Sequence, residues 1–330
     1  MTPPVTLRVV RPSSPQEPAA PGEPHSDFAR DMLAALASRP RSISPKYFYD
    51  AAGSAYFDAI CELPEYYPTR TEVAILRSNA AAIASHIGPH AELLEFGAGS
   101  LHKVRLLLDA MEHPARFMPI DISGEHLTQA AHALAQAYPG LQVQPLVADY
   151  TQQLALPEPS AAGKRVGFFP GSTIGNFNHD EALAFLRMAC HALRGGALLL
   201  GADLVKDPAL LHAAYNDAQG VTAAFNLNLL TRANRELQAD FDITQFFHSA
   251  FYNAPLRRIE MHLVSRCWQQ VHVSGQHFEF EEGQSLHTES SYKFTIASLR
   301  ALALQAGFEP GPVWTDSQQR FSLHWLVAPH

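Results

Sequence analysis

From residue 72 onward the apolar and polar positions alternate between two periods. Glu72–Ala84, Lys103–Met111, Gly124–Ala137 and Glu181–Leu193 carry apolar residues three and four apart, which predicts helices. Leu93–Phe96, Arg116–Ile120, Leu141–Val147, Val166–Phe169 and Ala197–Leu200 are short apolar runs followed by Gly, Asp or Pro, which predicts buried strands. Such strand–helix repeats build a parallel sheet covered on both faces. The pattern breaks across 205–295. Two helical segments there precede the alternating runs Ile259–Val264, Val271–Val273 and Phe278–Phe280, which predict antiparallel strands. It resumes with a helix at Thr295–Gln305, Gly307 as its C-cap, and a hairpin of Val313–Thr315 with Phe321–Val327. The expected fold is α/β, a doubly wound sheet over 71–204 and 295–330. A second, α+β domain comes from 26–70 and 205–294.

The first seventy residues read differently. Residues 1–25 hold seven prolines and few apolar side chains, so they are expected to form a flexible tail. Phe28, Met32, Leu33 and Leu36 have helical spacing. An aromatic stretch follows: Tyr47, Phe48, Tyr49, Tyr56, Phe57, Tyr66 and Tyr67. Pro64 and Pro68 bracket the last two tyrosines, which places both on a turn.

Composition narrows the classes. A chain of 330 residues is long enough for two domains and needs no disulfide or metal to fold. A net charge of −8 argues against a nucleic-acid partner. Cys61, Cys190 and Cys267 are too few and too far apart for a disulfide framework, which suits reduced thiols in the cytoplasm. No apolar run is long enough to span a bilayer, so no membrane partner is expected. The 17 histidines include no HExxH or similar spacing, so no metal is expected, and His102 and His262 read as surface or partly packed residues. A monomer acting on a small molecule is the expectation.

The chemistry concentrates at the ends of the predicted strands. Glu95-Phe96-Gly97-Ala98-Gly99 is a strand running into a glycine turn, where the backbone can approach a ligand closely. The chain has no G-x-x-x-x-G-K-[ST] string, which excludes a P-loop. A dinucleotide fingerprint wants a third glycine or alanine where His102 stands. An S-adenosylmethionine site, with an acidic strand end and two glycines, fits. The next strand ends in Asp121, which can accept from ribose hydroxyls. The third ends in Asp149-Tyr150, an acid for an adenine amino group and a ring to stack on the base. The fourth ends in Pro170-Gly171-Ser172-Thr173-Ile174-Gly175-Asn176. Each aspartate alone reads as a helix cap or turn residue; four polar strand ends together read as a ligand cleft.

Longer strings carry a resemblance. Phe48-Tyr49-Asp50-Ala51-Ala52-Gly53-Ser54, Leu63-Pro64-Glu65-Tyr66-Tyr67-Pro68-Thr69-Arg70-Thr71-Glu72, Gly171–Asn176, Asp203–Asp207 and Gly220–Asn226 resemble the histidine N-alpha-methyltransferases of ergothioneine biosynthesis, from about residue 40 to the C-terminus. The resemblance implies a class I methyltransferase (Rossmann-like) sheet with a second, substrate-binding domain. It implies S-adenosylmethionine-dependent trimethylation of the α-amino group of L-histidine to hercynine. Carried over, the cofactor positions are Gly97, Lys103, Asp121, Asp149 and Tyr150, the last usually Phe in the family. The substrate positions are Tyr49, Tyr66, Asn176, Tyr215, Met261, Glu289 and Ser291, with Tyr49 and Asn176 nearest the chemistry. Glu289 and Ser291, two apart, face the same way if extended, and a carboxylate beside a hydroxyl suits an imidazole N–H. An N-methyltransferase of this family acting on another amino acid is the alternative. A non-catalytic, cofactor-binding regulator is a more distant one.

Overall fold

The computed structural model describes residues 26–330 except Ser100, Gln153, Ala155 and residues 160–162; the proline-rich tail lies outside the described residues. The chain forms two compact units. One comprises Pro68–Val205 and Tyr292–His330; the other comprises residues 26–67 and Lys206–Ser291.

The first unit is built on an eight-stranded mixed sheet. Glu92–Phe96 lies inside it, flanked in parallel by Arg116–Asp121 and Arg165–Phe169, and Ala197–Asp203 continues the parallel run. The Glu92–Phe96, Arg165–Phe169 and Ala197–Asp203 strands are buried throughout, as a sheet covered on both faces requires. Phe321–Val327 adds antiparallel to Ala197–Asp203, and Glu309–Thr315 pairs with it at the edge. Apolar clusters line the two faces: Leu93, Phe117, Val166 and Leu199 in one, Leu94, Met118, Phe169 and Leu200 in the other. Successive residues of one strand thus fall into different clusters, the period of two that a strand imposes.

Three elements differ from the sequence reading. The Leu141–Val147 run is two short pieces, Gln142–Val143 and Leu146–Val147, because Pro145 between them has no N–H to give the ladder. Tyr67 is not a turn residue. It opens the Tyr67–Ile87 helix, and Pro68 sits in the first turn, where a missing N–H costs nothing. The edge strand starts at Glu309 and shifts register between Pro310 and Val313, so Gly311-Pro312 interrupts the ladder without ending it.

The second unit has a four-stranded sheet, in the order Arg41–Ser42, Ser285–Tyr292, Arg258–Ser265, Phe246–Asn253. A separate hairpin pairs Gln269–Val273 with Gln276–Phe280. The helices Asp27–Ala37, Ala51–Glu62, Pro208–Tyr215 and Val221–Leu237 complete it. Its core joins Met32, Phe48, Leu211, Phe225, Leu230, Met261 and Leu286.

Candidate active site

In the first unit the glycine turn is fixed by the backbone. Gly97 and Gly99 have positive φ, and the amides of Gly97 and Ala98 both donate to the Ile120 carbonyl, at 2.9 and 3.2 Å. A Cβ on Gly97 would lie 3.3 Å from the Tyr150 hydroxyl, so the turn is strained and crowded for any other residue. Asp121 accepts from the amides of Gly99 (3.3 Å) and Ser123 (2.8 Å), tying its strand end to the turn. Asp149 accepts from the amide of Thr151 at 2.9 Å. The Tyr150 ring packs edge-on against Phe96, Phe169 and Phe185, and burial, then the charges of Asp121 and Asp149, pushes its hydroxyl pKa up. The structure thus brings Gly97, Asp121 and Tyr150 together, with Asp149 beside Tyr150.

Lys103 belongs to the same place through a residue that sequence reasoning missed. Its ammonium is 2.6 Å from the carboxylate of Glu72, which is fully buried. The Gly171 amide donates to both Glu72 oxygens, at 3.1 and 2.9 Å. Gly201 leaves room for that carboxylate, since a Cβ there would come within 2.2 Å of it. Glu95 is 2% exposed, and its Oε2 has no hydrogen-bond partner among the described residues. Burial raises its pKa well above the carboxylate range; Lys103 opposes this, and the charges of Glu72 and Asp121 add to it. A buried carboxyl oxygen without a protein partner beside a glycine turn leaves a polar group that a bound ligand would satisfy. Asn176 ends the 3-10 helix Thr173–Asn176, also in this unit.

In the second unit the Phe48–Ser54 string builds a corner. Asp50 caps the Ala51–Glu62 helix by accepting from the Gly53 amide at 2.7 Å, and also takes the Asn228 amide (2.8 Å) and Arg235 (2.6 Å). Gly53 passes so close to the Phe48 carbonyl that a Cβ would lie 1.7 Å from it. Those constraints hold Tyr49 at the corner, edge-on to Phe57 and Phe225.

Phe57 in turn meets Tyr66, and Tyr66 meets Tyr215, each edge-on. Burial raises the Tyr66 hydroxyl pKa far above its usual value, with Tyr215, Cys61, Tyr49 and Glu289 adding to it in that order. The Tyr215 hydroxyl donates to Ser291 Oγ at 2.8 Å. Glu289 and Ser291 are both buried on the Ser285–Tyr292 strand, and Met261 is buried on its neighbour in the sheet. The aromatic positions Tyr49, Tyr66 and Tyr215 therefore form one edge-to-face series with Glu289 and Ser291 at its end.

Glu260, His262 and His287 also meet here, with one potential ligand atom from each lying within 4.8 Å of the others. His262 is thus part of a cluster, which its sequence surroundings did not reveal, because His287 comes from the adjacent strand. Arg258 and Asn253 hold Glu260 Oε1, at 2.7 and 2.9 Å, so a cation would meet a guanidinium on its only carboxylate. Both nitrogens of each ring already face a hydroxyl or that carboxylate. Among the described residues no helix is long and apolar enough to cross a membrane.

Comparison with known proteins matches residues 28–328 to the family described as histidine-specific methyltransferase, SAM-dependent. The histidine N-alpha-methyltransferase of Mycolicibacterium smegmatis is 44% identical over 90% of this chain and 94% of its own length. That of Mycobacterium tuberculosis is 41% identical over 91% and 94%. Ergothioneine biosynthesis protein 1 of Neurospora crassa is 30% identical over 87% of this chain, which corresponds to 33% of that longer protein. The doubly wound sheet with its closing antiparallel hairpin is the class I methyltransferase architecture, and the chain belongs to the family of histidine-specific, S-adenosylmethionine-dependent methyltransferases.

Proposed function

We propose that this enzyme transfers three methyl groups in turn from S-adenosylmethionine to the α-amino nitrogen of L-histidine, giving hercynine, the first step of ergothioneine biosynthesis. The observation that carries this reading is the match of one histidine-specific family over residues 28–328, which takes in the residues of both units. The methyl donor supplies a carbon activated by a sulfonium. In each transfer the amine lone pair forms the N–C bond while the S–C electron pair stays on sulfur. One proton must leave the nitrogen before each transfer, and it passes to water. The protein's contribution is positioning.

Gly97, Lys103, Asp121, Asp149 and Tyr150 are assigned to the cofactor: Asp121 to its ribose, Asp149 and Tyr150 to its base, Lys103 to its carboxylate. Tyr49 and Asn176 are assigned to the amino-acid head group. Tyr66, Tyr215 and Met261 surround the substrate, and Glu289 with Ser291 reads the imidazole. Tyrosine faces also suit the quaternary ammonium of the product. Purified protein incubated with S-adenosylmethionine and each common amino acid separately tests the reading by mass spectrometry. Histidine alone should gain up to three methyl groups. Methylation of another amino acid, or of none, overturns it.

A further inference from the structure

Three residues outside the assigned site form, with Tyr215, Ser291 and the strand backbone between Thr288 and Ser291, a ring closed partly by hydrogen bonds and partly by the chain. The ring starts at the backbone of Tyr215. His248 Nε2 lies 2.9 Å from the Tyr215 carbonyl, and His248 Nδ1 lies 2.9 Å from Asn226 Nδ2. The other Asn226 amide hydrogen goes to the His262 carbonyl at 3.1 Å. Asn226 Oδ1 accepts from Thr288 Oγ1 at 2.8 Å, and that hydroxyl is shared with the Met261 carbonyl at 3.0 Å. Thr288 immediately precedes Glu289 on the strand. Three residues further on, Ser291 Oγ receives the Tyr215 hydroxyl, and the ring closes.

Counting donors and acceptors fixes the ring's proton arrangement. A carboxamide has two N–H donors, and both are used. His248 Nδ1 must therefore accept, and its one ring proton sits on Nε2, where it donates to the Tyr215 carbonyl. Burial favours that neutral ring. Asn226 and Thr288 are fully buried, so neither can exchange these partners for bulk water. Tyr215 is buried as well, at 7% exposed.

We propose that His248, Asn226 and Thr288 are positioning residues for histidine recognition, holding Tyr215, Met261, Glu289 and Ser291 in one fixed arrangement. The proposal rests on the assignment of those four residues to the substrate. Its chemical content is selectivity. A carboxylate and a hydroxyl read an imidazole only if their spacing is set before the ligand arrives, and the ring sets it from behind.

Thr288→Val tests this, because valine keeps the shape and removes the hydroxyl, while Thr288→Ser restores the hydroxyl. Two readouts are taken: steady-state kinetics, and calorimetric binding of histidine to the protein loaded with S-adenosylhomocysteine. In Thr288→Val the KM and Kd for histidine should rise about tenfold, the effect of stranding one buried hydrogen-bonding group. The kcat and the KM for S-adenosylmethionine should stay within about twofold of wild type. Thr288→Ser should return to near wild type. His248→Phe opens the ring at its other end and should reproduce the Thr288→Val pattern, so the test does not hang on one variant folding. Unchanged histidine binding in both ring-breaking variants overturns the proposal. So does an equal loss for histidine and S-adenosylmethionine, or a serine variant no better than the valine one. A wild-type enzyme that leaves histidine unmethylated overturns the functional reading instead, and is seen in the wild-type arm alone.

Discussion

The two units assemble their candidate sites by different routes. In the first, Glu95, Gly97, Asp121, Asp149 and Tyr150 follow in chain order at or just past successive strand ends. A right-handed strand–helix–strand chain delivers the carboxyl end of each parallel strand to one edge, so topology alone gathers them. In the second, Tyr49, Tyr66, Tyr215, Met261, Glu289 and Ser291 come from a corner, a loop, a helix end and two neighbouring strands. Only the packing of Phe57, Phe225 and the tyrosines, and the pairing of strands distant in sequence, bring them near one another. On the proposed assignment, cofactor binding is carried by a repeating architecture and the reading of the imidazole by tertiary contacts, while Asn176, given to the amino-acid head group, belongs to the first unit.

The sharpest test of that division is Glu289→Ala. The kcat/KM for histidine should fall about a hundredfold, since a charged acceptor for a buried N–H is lost. An apolar amino acid of similar size should lose little, and the affinity for S-adenosylmethionine should not move. Equal losses for both amino acids would show that Glu289 holds the fold rather than reads the imidazole. The mirror experiment is Asp121→Ala. S-adenosylmethionine binding by calorimetry should weaken about thirtyfold, through loss of charge-assisted bonds to the ribose. The ratio of histidine to other amino acids should be unchanged. A shift in that ratio would mean the two functions are not separable by unit.

This division also explains what could be read from the sequence. Strand ends, glycines and the period of each element are local signals, so the α/β order, the closing hairpin and Glu95–Gly99 were legible. Pro145 was visible, yet its cost to the Leu141–Val147 strand is paid only once a ladder exists. Tyr67 was misplaced because proline is read as a breaker, although the first turn of a helix accepts it. Glu72 stood at the end of a string that carried the resemblance but had no role there, since nothing in its own helix says that Lys103 and the Gly171 amide converge on it. The Glu289–Ser291 pair had only its spacing of two, and the family resemblance supplied its meaning. The ring through His248, Asn226 and Thr288 was out of reach, because each member is polar, isolated in sequence and paired only across the fold.

Glu72 offers a smaller and more discriminating effect within the first unit. Glu72→Gln keeps the size and one accepting oxygen, but it removes the charge opposite Lys103 and puts an NH2 donor where the second oxygen accepted. The Lys103 ammonium then loses its direction, and S-adenosylmethionine should bind about tenfold more weakly, as an ion pair in a buried setting loses one partner. Histidine binding to the cofactor-loaded protein should be unaltered. Isothermal titration of both ligands separates the outcomes, and a variant with wild-type cofactor affinity would reduce Glu72 to a packing role.

The smallest effect compares the units through one buried imidazole in each. His324 in the first and His287 in the second are both held at a pKa of about 4, below the usual 6.5. Burial is the main cause in each; the charge of Arg300 adds to it at His324, and that of His262 at His287. A folded pKa below the unfolded one means that the unfolded chain takes up the proton more readily. The stabilisation is therefore complete above about pH 6.5 and drains away as the pH falls toward 4. By pH 5.5 each ring should cost about 1.4 kcal/mol relative to pH 7.5. His324→Leu isolates one share. Ser322, which faces His324 Nε2 at 2.9 Å, keeps the Ala202 carbonyl as a partner, so no hydroxyl is stranded. Urea unfolding at the two pH values should show the acid loss shrinking by about 1.4 kcal/mol in this variant. Glu95, with its raised pKa, works in the opposite direction and is common to both proteins, so the difference between them is free of it. An acid loss equal to that of wild type would mean that the His324 ring takes up its proton in place and that burial does not hold it neutral in the folded protein.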